Sequence, residues 1–324
     1  MATVPEPRLD RDITVQMMGD WGIANLHRIC GWLAAEMGAR AGPGSRFATW
    51  NGRGGTDAIE AVLNGTVDAS LFVPAPFAKT VVEGQGIYGG PGADRLRAIA
   101  TLPQDDRLVI AIDSKYGVAS LDDLRRTQPP LTVAVAMDDG CNMVGYATNR
   151  LLDAAGLSRA TVEGWGGSFV EGEAPWDTIG LAIDGAADAV IFEAIMTPFW
   201  TELQDRREMT FLPIDDEVLD ALEAQYSWPR GSVPQSRFKG LAGSFQTLDF
   251  SDFLLLCRDD LDDEIAYLMT WCACETTATI ESQYKHLAPE DSPLTYPLDP
   301  AKMARTSVPP HPGARKYYAE KGLL

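Results

Sequence analysis

Hydrophobic residues in this chain alternate between short unbroken runs and stretches where they recur every three or four positions. The runs at 13–18, 47–50, 71–72, 96–102, 108–112 and 190–192 predict strands covered on both faces. Ile29, Leu33 and Met37 predict the buried face of a helix over about 24–37. Ser120 before Leu121-Asp122-Asp123 reads as a helix cap, and 252–257 as a returning strand. The longest helical pattern covers 262–286: acids gather at its positive end, Ile265, Leu268, Met269, Cys272 and Ile280 form its stripe, and Pro289 follows it. A proline-rich strap over 308–314 leads into a last short helix through Tyr317 and Tyr318.

The pattern occurs twice. Residues 57–72 align without a gap on 177–192, with Asp, Ile, Gly, Asp, Ala and Phe identical: a helix, a glycine that ends it (Gly65, Gly185), and an Asp-Ala entry into a strand. Upstream, Thr14-Val15-Gln16-Met17 echoes Thr132-Val133-Ala134-Val135. The expectation is an α/β chain of two doubly wound lobes with a central cleft. Lobe 1 is placed at 11–112 plus 250–324, lobe 2 at 113–249, and hinge strands near 108–112 and 252–257.

Composition narrows the classes. Apolar content of 45% and charged content of 23% are those of a globular protein, and 324 residues suffice for two cores. The net charge of −19 argues against nucleic acid and anionic membranes as partners, and no apolar run suggests direct membrane insertion. Segment 1–11 lacks the apolar core of a secretory signal. The expected location is cytoplasmic as written, or periplasmic if a leader was removed. Five cysteines in so long a chain do not read as a disulfide framework, and Cys272 and Cys274 read as small buried hydrophobes. The three histidines lack zinc-site spacing, so neither metal nor cofactor is expected.

The chain resembles the TAXI-type solute receptors of tripartite (TRAP) transporters, over about residue 49 to the C-terminus. The most specific part is His311-Pro312-Gly313-Ala314, followed by Tyr317-Tyr318 and Gly322. Gly54-Gly55, Asn64-Gly65-Thr66-Val67-Asp68, the 96–102 strand and Ile214-Asp215 also fit. The resemblance implies a periplasmic-binding-protein-like fold of the second type and two lobes closing on a small organic acid. It also implies delivery to TRAP membrane subunits without chemistry. Two loops depart from the family pattern, Gly19-Asp20-Trp21-Gly22 and Asp138-Asp139-Gly140-Cys141, so ligand identity is not carried over.

In a doubly wound lobe, ligands sit beyond the carboxyl ends of the strands. That nominates Asp20, Trp21, Asn25, Trp50, Asn51, Arg53 and Gly54 from lobe 1, and Asp138, Asp139, Cys141, Asn142, Trp165 and Glu193 from lobe 2. Asp20 and Asp138 read either as helix caps or as a pair of acids holding an ammonium or hydroxyl group. Arg53 could fork onto a carboxylate, and the tryptophans could wall an aromatic ligand. The alternative is a metal-free lyase or hydrolase acting on a small aromatic or organic acid, with Cys141 before a helix as its nucleophile. His27 and Cys30, at i and i+3, form a second candidate pair that lacks an orienting group.

Overall fold

The computed structural model describes residues 3–20, 22 and 25–324. Trp21, and the expected helix start at Ala24, lie outside the described residues. The chain forms two compact units, 1–105 with 251–324, and 106–250. In order, the elements are β1 (Thr14–Met18), α1 (Asn25–Gly38), β2 (Arg46–Trp50), α2 (Thr56–Leu63), β3 (Ala69–Phe72), α3 (Ala78–Val82) and β4 (Leu96–Leu102). The chain then enters the second unit through β5 (Arg107–Asp113), α4 (Leu121–Thr127), β6 (Thr132–Ala136), α5 (Met143–Ala154), α6 (Arg159–Gly164) and β7 (Ser168–Gly172). That unit continues with α7 (Pro175–Ile183), β8 (Ala189–Glu193), α8 (Thr197–Arg206), β9 (Met209–Leu212), α9 (Asp216–Tyr226), β10 (Arg230–Val233) and β11 (Phe245–Asp249). The return to the first unit supplies β12 (Phe253–Arg258), α10 (Asp263–Glu275), α11 (Thr277–Glu281), α12 (Pro300–Met303) and α13 (Pro312–Lys321).

The first unit's sheet runs β2-β1-β3-β12-β4, parallel from β2 to β3 and antiparallel at β12. One face carries Val15, Met17, Leu71, Ile99 and Leu255 against Ile29, Leu33 and Met37 of α1 and Leu268, Met269 and Cys272 of α10. Each such fully buried aliphatic side chain contributes about 1.5–3 kcal/mol relative to exposure. All four residues of β3 are buried, as a strand covered on both faces requires.

The second unit's sheet runs β10-β11-β5-β8-β6-β7, and β9 pairs with β5 beyond the short β11 contact. Here too the first repeated strands, β6, β7 and β8, are mutually parallel. Two helix starts are built as the sequence predicts: Ser120 Oγ accepts the amide of Asp123, and Asp262 Oδ1 accepts those of Glu264 and Ile265. The repeated glycines Gly65 and Gly185 both have φ of +77°.

Three expectations are corrected. Residues 108–112 do not close the first lobe: β5 pairs with β8, β9 and β11 and belongs wholly to the second unit. The boundary therefore falls at 105/106 and 250/251 rather than at 112/113 and 249/250. A run such as Leu-Val-Ile-Ala-Ile suits either sheet, and only long-range pairing assigns it. The 262–286 helix breaks at Thr276, whose Oγ1 donates back to the Cys272 carbonyl and accepts from Trp32 Nε1 at 3.2 Å. Finally, the echo of Thr14 with Thr132 slips by two residues. Gln16 is the residue placed against the third strand as Thr132 is, because Asp68 grips Gln16 and Asp188 grips Thr132.

Candidate functional site

The parallel strands of each unit end where the following helices begin. In the first unit, Gly19 lies so close to the first turn of α1 that a Cβ there would sit 2.7 Å from the backbone of His27. The Asp20 carboxylate, 5% exposed, accepts the amides of His27 (2.9 Å) and Leu26 (3.2 Å). Burial pushes this carboxyl up, while the two amide donors and His27 pull the other way. The backbones of Asp20 and Arg53 also pair in an isolated antiparallel β-bridge. Arg53 leads into α2, and its amide is held by Asp57 Oδ2 at 2.6 Å, while Asp57 Oδ1 accepts Gly55 N–H.

Gly54 has φ of +77°, and a Cβ on it would meet Leu26 Cδ1 at 2.9 Å, so both conformation and space demand glycine. Trp50 ends β2 with 48% of its surface exposed and its indole N–H on Gln16 Oε1. Asn51 is exposed, with its side-chain amide against Gly22. Asn25 faces inward: its Nδ2 donates to the Pro293 carbonyl at 2.7 Å and its Oδ1 accepts from the Tyr284 hydroxyl. It fastens α1 to the chain between α11 and α12, so its amide is already committed to the fold.

The second unit builds the same junction from different residues. Asn142, not Asp138, caps α5, accepting from Val144 (3.0 Å) and Gly145 (3.3 Å). Asp139 Oδ1 accepts the amides of Cys141 and Asn142, each at 3.0 Å. Asp138 instead accepts from Asn149 Nδ2, with Arg150 4.0 Å away. Cys141 is buried at 9% exposure. Glu193 ends β8, buried, and its carbonyl receives Trp200 Nε1. At α7, Asp177 Oδ2 accepts the amide of Ala174.

Trp165 falls elsewhere. It caps α6 before β7 starts, at the amino end of the parallel strands, and lines an apolar recess with Val162, Phe169, Leu131 and Val133. A tryptophan in a loop carries no sequence mark of which strand end it serves. The His27–Cys30 pair also fails as a nucleophile: Cys30 is fully buried, and burial plus the Asp20 charge push its thiol well up.

At α1 and α5 the first-turn amides already meet a side chain of the protein's own, Asp20 and Asn142, while at α2 and α7 the first-turn acids Asp57 and Asp177 hold the amides of the preceding residues Gly55 and Ala174. Asp20 meets the cap reading of the sequence at longer range than usual, six and seven residues before the amides it accepts. Chemically, these edges offer carboxylates, an exposed indole and a few guanidinium groups. No helix among the described residues is long and apolar enough to cross a membrane.

Comparison with known proteins agrees with this architecture. PhnD1 from Prochlorococcus marinus (MIT 9301), solved in complex with methylphosphonate, matches with a TM-score of 0.55 at 10% identity, over 96% of this chain and 99% of that one. XAC2383 from Xanthomonas citri, solved bound to ATP, gives 0.54 at 10% identity over 97% and 99%. At such identity the likeness is one of fold, and it is the two-sheet, mixed α/β periplasmic-binding-protein-like fold expected above. The model of the NMT1-like family matches residues 33–322. With nine-tenths of its length inside that match, the chain belongs to the NMT1-like family.

Proposed function

We propose that this chain is a solute-binding protein that takes a small organic molecule at the carboxyl edges of its parallel strands and hands it to a TRAP-type membrane transporter. The observation that carries this reading is the duplicated strand–helix module, whose two copies present matching strand ends and helix starts. The tail from His311 to Gly322 favours the TAXI branch of receptors. PhnD1 and XAC2383, which share the fold, were each solved with a small ligand. Delivery to a transporter requires a periplasmic location.

The resemblance implies an organic acid as the solute, and the planar fork of Arg53 suits a carboxylate. The acids at the starts of α1, α2 and α7, with Asp139 just before α5, favour a second ligand class, amines and other hydrogen-bond donors. A further carboxylate brought there would meet like charge. Trp50, exposed beside Gly19 and Asp20, suits the face of such a cation.

Thermal unfolding against matched panels of carboxylates and amines tests both. A ligand at about 100 times its Kd stabilises by roughly 2.7 kcal/mol. Stabilisation with the compound recovered intact supports the receptor reading, and the responding panel names the class. A compound recovered altered would replace that reading with an enzyme, and Cys141→Ser would then be the first variant to assay. Silence from both panels would remove the proposal.

A further inference from the structure

The His-Pro-Gly-Ala segment has a physical role that solute binding does not use. His311 is the N-cap of α13: its Nδ1 accepts the amide of Gly313 at 3.2 Å, and the residue is fully buried. Its own amide donates to the Ala98 carbonyl, and the Ala98 amide donates to the Pro309 carbonyl, so the strap runs along the edge of β4. Next to it, Gly313 lets α13 press on α10, since a Cβ there would lie 2.2 Å from the Asp263 carbonyl oxygen. Beyond this point α13 is held by Tyr317 to Glu275 (2.6 Å), Tyr318 to the Ile99 carbonyl (2.8 Å), and the Lys321–Glu275 pair.

An imidazole nitrogen caps a helix only while it has a lone pair. Gly313 N–H therefore selects neutral His311 with its proton on Nε2, an atom that is buried without a hydrogen-bond partner in the structure. Adding a proton sets N–H against N–H and places a cation at the positive end of α13. The groups facing the ring divide in sign. Asp263 of α10, 3.8 Å from Nδ1 but itself largely exposed, and the carbonyls of Leu261 and Asp259 favour the cation. Arg97 of β4 opposes it, and burial opposes it most, so the imidazole is held below its ordinary value. Arg315 and Lys316, on α13 itself, are exposed.

We propose that His311 is an acid-sensitive latch, whose protonation releases the 308–311 strap and helix α13 from β4 and α10 while the rest of the unit stays folded. The release is local because the sheet pairings of β1, β3, β12 and β4 do not pass through α13.

Hydrogen exchange of the whole protein at pH 7.5 and 5.0, corrected for intrinsic rates, tests this. Amides of 313–321 and of Ala98 should lose about tenfold in protection at pH 5.0, with β1 and β12 unchanged. His311→Asn keeps a side-chain cap acceptor but cannot titrate, and should abolish the loss. Equal protection at both pH values, or an equal loss in His311→Asn, would overturn the latch. Should that variant not fold, imidazole NMR of the wild type decides. The three histidines are assigned with His27→Gln and His286→Gln, and titration of His311 without accompanying exchange in α13 overturns the proposal.

Discussion

Gly145 stands where a Cβ would come 2.0 Å from the carbonyl oxygen of Met137. The two residues are eight apart, as Gly19 and His27 are in the first unit, and both pairs mark the first turn of a helix pressed on the end of its preceding strand. One copy places the glycine on the strand side and the other on the helix side. The contact repeats where the residue does not.

Gly145→Ala should destabilise the protein by about 1–3 kcal/mol, the cost of overpacking, although alanine is the better helix former. Gly31 of α1 is the control, because a Cβ there meets nothing within 4 Å; Gly31→Ala should stabilise by up to about 1 kcal/mol. Denaturant midpoints of the two variants will show opposite shifts. Equal shifts would contradict the close approach.

Asp68 grips Gln16 twice: Oδ2 accepts its amide at 2.7 Å, and the Asp68 amide donates to its carbonyl at 2.8 Å. Asp188 does the same to Thr132, at 3.1 and 2.7 Å. Asp68→Ala and Asp188→Ala each strand a strand-entry amide, and each should cost about 1–2 kcal/mol in chemical denaturation. A cost confined to one copy would mean the two locks are not equivalent.

Burial pushes the Asp106 carboxyl up to about 7, against the amides of Arg107 and Ile195 and the charges of Arg237 and Arg107. Unfolded, it titrates near 3.8. Between these values the folded state holds more protons, so the contribution of Asp106 is complete below 3.8 and is lost as pH rises to about 7. Melting temperatures of wild type and Asp106→Asn from pH 4 to 8.5 should converge toward the acid end. The variant should gain steadily up to pH 7 and hold its advantage above. A pH-independent difference would place the charge of Asp106 elsewhere in the titration.

All five cysteines are buried thiols. Burial pushes the thiols of Cys272 and Cys274 up to about 12, and those of Cys30 and Cys257 higher still. At pH 8 an aromatic disulfide reagent should therefore label the native protein slowly and the denatured protein at five sites. Rapid native labelling of more than one site would show that these thiols are reachable, and would revive a cysteine chemistry at Cys30.

By itself, the sequence determined the elements and their repetition. Runs of apolar residues marked β3, β4, β5 and β8, Gly65 and Gly185 marked helix ends, and Ser120 and Asp262 marked helix starts, because each rests on interactions within a few residues. Tertiary structure alone decided which sheet takes β5, that Thr276 interrupts the long helical pattern to meet Trp32, and that Trp165 lies at the amino rather than the carboxyl end of its strands. It also decided that Asp20 caps α1 where Asn142, and not the aligned Asp138, caps α5. In each case the deciding partner is distant in sequence or reached through a loop whose path the side chains do not encode locally, and the energy that selects it is long-range pairing and packing.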